Sequence, residues 1–93
     1  MLTMNINFKW DLEKNKILIQ DRGVCFEDVV SAIYEDKIID VIKHPNQIKY
    51  SDQSIYIIEL MGYICMIPYV KKDNEIFLKT IIPSRKMHKK YKG

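Results

Sequence analysis

Glycine is scarce in this chain. Its three glycines, at positions 23, 62 and 93, are too scattered to build a loop that cradles phosphate through the backbone. Cysteine is scarcer still. Cys25 and Cys65 stand far apart and, with His44 and His88, match no zinc-ligand spacing, so neither a metal nor another cofactor is expected. No apolar run approaches the roughly 18 residues of a membrane-spanning helix. The opening stretch, MLTMNINFKWDLEKNK, lacks the long apolar segment of a secretory leader. The expectation is therefore a cytosolic chain with reduced thiols. There is no repeat, no low-complexity segment and no Pro/Gly/Ser-rich linker. Ser84 has no glycine beside it and so does not form a nucleophile elbow.

Acidic residues are also missing from one end. The last seventeen residues, FLKTIIPSRKMHKKYKG, hold six Lys or Arg and no Asp or Glu. From residue 71 onward eight basic residues face two acidic ones, whereas residues 1–70 carry seven basic and ten acidic. The net charge of +3 thus conceals a polarised molecule. A concentrated cationic end suits a polyanion, an acidic protein partner, or simple solvation. The remaining composition is that of one small domain: 93 residues, 47% apolar, too hydrophobic for disorder and sufficient for one modest core.

Residues 5–10 alternate, with Ile6, Phe8 and Trp10 on one face, and predict a short strand. Asp11 is placed to cap a helix over Leu12–Arg22, with Glu13 favourable in the first turn and Gly23 ending it in the left-handed conformation. Phe26, Val29, Val30 and Ile33 form an apolar helical stripe, predicting a second helix that ends near Asp36–Lys37. Cys25 would stand at its cap, where a thiol accepts poorly. Ile38–Lys43 is β-branched and extended, and His44-Pro45 breaks it. Strands are predicted over Gln53–Met61, Tyr63–Val70 and Glu75–Ile82. A hairpin turn is expected at Gly62 and another turn at Lys71–Asn74. Pro68, inside a strand, predicts an edge or a bulge there. Pro83 ends the last strand, Ser84 caps, and Arg85–Lys92 is a short helix or a frayed tail. Phe8, Trp10 and the methionines other than Met87 are expected in the core. The order is β-α-α-β-β-β plus a basic C-terminal helix: an α+β fold with two N-terminal helices on one face of a mostly antiparallel sheet.

Three stretches resemble the BrnT-like toxins. FKWDLEKNK (residues 8–16) is similar to their F-x-W-D-x-x-K-N opening. RGVCFEDVV (22–30) is similar to H/R-G-[IV]-x-F-E-[DE]-[AV], and FLKTIIPSRKMHKKY (77–91) to a closing I-I-x-[AS]-R-[KR] before a basic tail. The resemblance runs in order along nearly the whole chain. It departs at Cys25, where the family commonly has Ser, and at Thr80, where many members have Arg. The resemblance implies a RelE-like fold and the toxin half of a bacterial type II toxin–antitoxin pair. It also implies metal-independent RNA cleavage that inhibits translation and growth, and a DNA-binding antitoxin of ribbon-helix-helix or helix-turn-helix type.

RNA cleavage by the 2′-hydroxyl needs a proton removed, a proton given to the leaving 5′-oxygen, and charge neutralised at phosphorus. Arg85 is the first candidate, because its planar fork can hold two phosphate oxygens. Ser84 adds a hydroxyl beside it. Lys86 and Lys79 are secondary phosphate contacts, and Lys89, Lys90 and Lys92 form a solvated basic strip that attracts RNA nonspecifically or docks an acidic antitoxin. Lys79, in an otherwise apolar strand, points to a site or to solvent. His88 and Tyr91 are the candidates for proton transfer, and each could equally be structural. Tyr50, Tyr69 and His44 are lesser candidates. Two rival readings stay open: a non-catalytic binding module of the same fold, and an unrelated RNA-binding protein that uses the basic tail alone.

Overall fold

The computed structural model describes residues 6–92. The chain runs β1 (Asn7–Lys9), α1 (Leu12–Arg22), α2 (Phe26–Tyr34), β2 (Ile38–Lys43), β3 (Gln53–Leu60), β4 (Tyr63–Lys72), β5 (Glu75–Leu78), β6 (Ile82–Pro83) and α3 (Arg85–Lys92). Asn5, the first residue of the predicted opening strand, lies outside the described residues. The architecture is α+β, but the order exceeds the expected one by two strands. Ile38–Lys43 is a full strand, and Glu75–Ile82 divides into two.

Local chemistry sets the helix limits. The Asp11 carboxylate accepts the N–H groups of Glu13 and Lys14 at 2.8 and 3.1 Å, satisfying donors that no turn of helix precedes. Gly23 ends α1 at φ 68°, and its N–H donates to the carbonyl of Ile19. Helix α2 stops at Tyr34, short of the predicted 36–37, because Asp36 turns to φ 60° and leaves the helical region.

The sheet order is β1-β5-β4-β3-β2, and β6 also pairs with β4. Among the described residues only β1–β5 is parallel; the other pairings are antiparallel. The hairpin between β3 and β4 turns on Met61 and Gly62, both at positive φ. The β4–β5 turn is shorter than expected: Lys71 and Lys72 remain in β4 and only Asp73–Asn74 turn.

Pro68 is not at a sheet edge. Strand β4 is central, and among the described strands the edges are β1 and β2. Pro68 instead sits at an irregularity. Lys79 N–H donates to the Pro68 carbonyl at 2.8 Å, and Pro68 has no N–H to return. The ladder fails there. Residues 79–81 bridge from β5, which ends at Leu78 opposite Tyr69, to β6, which begins at Ile82 opposite Met66. Ile81 turns fully inward, and Arg22 Nη1 donates to its carbonyl at 2.6 Å, tying α1 to this bulge.

Both faces of the sheet are covered. Leu18, Phe26, Val29 and Ala32 of α1 and α2 pack on Tyr56, Ile58, Leu60, Cys65 and Ile67. The opposite face, centred on Ile55, Ile57 and Ile64, packs against Ile42, Met66, Met87 and Tyr91. The C-terminal segment is thus a docked third helix and not a frayed tail. This explains the unbroken apolar run Ile55–Ile58, all four residues of which are buried: a strand covered on both sides has no polar face to show.

The methionines divide otherwise than expected. Met61 is 79% exposed at its turn, whereas Met87, predicted to be in the tail, packs on the second core. Met1 and Met4 lie outside the described residues. Phe8 and Trp10 pack half-buried against the main core, Trp10 stacked on Phe26. Among the described residues no helix is long and apolar enough to cross a membrane.

Candidate nucleic-acid interface

Helix α3 brings most of the predicted site residues together. Ser84 begins it: its Oγ accepts the Met87 N–H at 3.2 Å, and its own N–H donates to the Ile64 carbonyl at 3.0 Å. The serine hydroxyl proton remains available to a further acceptor. At about 100° per residue, Met87, His88 and Tyr91 share the inward side, and Lys92, Arg85, Lys89, Lys86 and Lys90 span an outward arc of roughly 160°. Arg85, Lys86, Lys89 and Lys90 are exposed. Among the described residues Arg85, Lys86, Lys89 and Lys90 form no salt bridge.

The two ends of α3 are held differently. At the first turn, the ring of His88 lies flat on Tyr63, 4.3 Å between centroids and 8° from parallel. His88 Nδ1 accepts the Ile64 N–H at 3.3 Å. An accepting Nδ1 places the ring proton on Nε2, so neither nitrogen offers a lone pair to a substrate proton. At the last turn, Tyr91 Oη donates to Asp40 Oδ2 at 2.8 Å and Lys92 Nζ pairs with Glu59 at 3.3 Å. The bond to Asp40, with lesser help from burial and the carboxylate's charge, raises the Tyr91 hydroxyl above its ordinary value. The same bond, then the Val41 N–H, holds the Asp40 carboxyl below its ordinary range. Lys90 Nζ lies 5.4 Å from the Tyr91 ring centroid. The unpaired cations therefore run along the outward side of the helix from Arg85 to Lys90, and only its last residue, Lys92, is paired with an acid of the sheet.

The other candidates lie apart from this surface or are occupied in packing. Lys79 follows β5 at the sheet bulge, exposed, with Nζ 5.5 Å from the Phe77 ring. Tyr69 is stacked on Tyr56 at 4.0 Å, a packed ring within β4. His44 accepts the Asn46 N–H on Nδ1 at 3.1 Å and tilts against Tyr50, which fixes the turn after β2. Cys25 caps α2 without a side-chain bond, and burial raises its thiol above the ordinary value, so it is not a ready nucleophile. Among the described residues no group of three His, Cys, Asp or Glu converges as a metal site would need. The surface groove between α2 and the β3–β4 turn is lined by Asp28, Glu35 and Glu59 and carries none of the predicted site residues.

Sequence reasoning missed the sheet residues that position the helix: Asp40, Glu59, Tyr63 and Ile64. Asp40 had a signal, being the single acid in the strand Ile-Ile-Asp-Val-Ile-Lys. No family model, curated relative or solved structure matches the chain.

Proposed function

We propose that this chain is a metal-independent ribonuclease toxin of the BrnT-like, RelE-like kind, with the outward arc of α3 as its RNA surface. It would act in the cytosol and be neutralised by a DNA-binding antitoxin. The observation that carries the reading is the docked helix itself. Its apolar side is fixed to the sheet, and Arg85, Lys86 and Lys89 stand together, exposed and without acids of their own. A cationic cluster held on a rigid element suits a phosphate backbone better than a solvated tail does.

In this reading Arg85 holds two phosphate oxygens, and Lys86 and Lys89 neutralise the charge that builds as the 2′-oxygen attacks phosphorus and the 5′-oxygen leaves. Ser84 contributes its hydroxyl proton to a phosphate oxygen. His88 acts as a positioning residue, since its lone pair is taken. Proton transfer falls to solvent or to a lysine of α3.

The second reading is a binding module of the same fold that does not cleave. What favours it is the engagement of both predicted proton-transfer groups, His88 with the Ile64 N–H and Tyr91 with Asp40. Purified protein mixed with single-stranded RNA in a chelating buffer separates the two. Cleavage to a 2′,3′-cyclic phosphate and a 5′-hydroxyl supports the ribonuclease; binding without products supports the module. In both cases affinity falls with salt, and Arg85→Ala lowers the slope of log affinity against log salt by about 0.7.

A further inference from the structure

At the outer edge of β2 one backbone N–H is taken by a side chain. His44 N–H donates inward to the Gln53 carbonyl, so by strand alternation Ile42 also faces β3, and Val41 and Lys43 present their backbone groups outward. The outward N–H of Val41 does not meet solvent. It donates to Asp40 Oδ1 at 2.8 Å. The other oxygen of the same carboxylate, Oδ2, accepts from Tyr91 at 2.8 Å. One carboxylate thus stands where the carbonyl of a neighbouring strand would stand, and α3 holds it there.

We propose that the β2 edge is the docking strand for an acidic, extended segment of a protein partner, gated by Asp40 and Tyr91. The chemistry of the edge selects the occupant. Ile39 and Val41 are apolar yet 42% and 47% exposed, and suit apolar side chains alternating along an added strand. Two cations beside them, Lys43 and Lys90, form no salt bridge among the described residues. Lys43 is exposed on the strand itself, and Lys90 lies near enough to Asp40 to draw its carboxyl down. Three acids by the edge are already engaged: Asp40 with Val41 and Tyr91, Glu59 with Lys92, Glu35 with Lys37. A second copy of this chain fits less well. Two-fold pairing about Val41 would set two cationic α3 helices on the same side of one sheet.

When a partner carbonyl takes the Val41 N–H, Asp40 gives up that bond and its hold on Tyr91 is disturbed. Docking at the edge is thereby felt in the last turn of α3. The consequence for RNA rests on the proposed role of α3; the docking does not.

The experiment titrates the full chain with an end-blocked peptide of alternating glutamate and valine, followed by NMR and amide hydrogen exchange, beside a lysine–valine peptide of the same length. No RNA is present, so its outcome is separate from that of the cleavage assay. The glutamate–valine peptide is expected to slow exchange at Val41 and Lys43 and to move the Tyr91 ring resonances. Tyr91→Phe, which frees Asp40, tightens binding, and Lys43→Glu weakens it by roughly tenfold. Unchanged exchange at Val41 and Lys43 in both the parent and Tyr91→Phe overturns the proposal. So does equal binding of the lysine–valine peptide, an unmoved Tyr91 ring, or protection that grows with protein concentration alone, which would assign the edge to a second copy.

Discussion

The side-chain oxygen of Asn15 accepts the backbone N–H of Phe26 at 2.8 Å, so the first helix caps the second. Cys25 occupies the cap position and contributes no side-chain bond. The amide of Asn15, buried to 7% exposure, supplies the acceptor instead, and its Nδ2 donates to Glu27 Oε1 at 2.8 Å. That bond is the main cause of the lowered Glu27 carboxyl. Asn15, Phe26 and Glu27 all have an architectural role here.

Asn15→Ala leaves the buried Phe26 N–H without an acceptor and is expected to cost about 2 kcal/mol. Asn15→Asp keeps an acceptor oxygen but sets a second carboxylate against Glu27, so it too destabilises. Urea unfolding of the three proteins checks both. An unchanged midpoint for Asn15→Ala would remove Asn15 from the joint.

Gly23 stands at φ 68° with nothing within 4 Å of where a Cβ would be. Gly23→Ala therefore meets no steric clash and suffers only the left-handed backbone. The expected loss is about 1 kcal/mol, measurable as a lower thermal midpoint with an unchanged RNA affinity.

Local chemistry made the helices legible. Asp11 and Gly23 mark the ends of α1 because an Asp cap and a left-handed glycine each solve one backbone problem at one position. The hairpin at Gly62 was legible for the same reason. The break at Lys79–Ile81 was not, because it arises from Pro68 on the adjacent strand, which cannot return a hydrogen bond. The placement of α3 was not legible either. Met87 and Tyr91 look like interruptions in a basic tail until Ile55, Ile57 and Ile64 are seen to need a cover. Of the candidate site, Arg85, Lys86 and Lys89 could be named from charge alone. The engagement of His88 and Tyr91 depends on Ile64 and Asp40, which are distant in sequence; the one signal was Asp40, the single acid of its strand, and it does not name its partner.

The Tyr91–Asp40 bond gives α3 a defined pH dependence. Asp40 is held below its ordinary range, so its contribution to docking is present above that range and is lost as pH falls through the lowered value. Tyr91 is raised, so its contribution is present below the ordinary tyrosine value near 10 and is lost as pH rises through the raised one. The last turn of α3 should stay docked between about pH 5 and 9 and loosen at both extremes. Tyr91→Phe should flatten that profile. Amide exchange across residues 88–92 checks it.

His88 tests the line between positioning and catalysis. His88→Ala orphans the Ile64 N–H and removes the stack on Tyr63, with an expected loss of about 1–2 kcal/mol. His88→Asn offers an oxygen to the same N–H and should recover part of that stability. If His88 only positions α3, His88→Asn retains RNA cleavage in proportion to its folded fraction. A variant that is fully folded but cleaves at least about a hundredfold more slowly would make His88 an acid or base.

The central claim is that the exposed cations of α3 act on RNA, and Arg85 is the residue on which it turns. The most direct measurement is bacterial growth after tight induction of the parent chain beside Arg85→Ala, with both proteins soluble at equal levels and equal thermal midpoints. The account predicts arrest by the parent and continued growth with Arg85→Ala, because that side chain is exposed and its loss should leave the fold intact. Arrest by both would contradict the role given to Arg85, and growth in both would contradict the toxin.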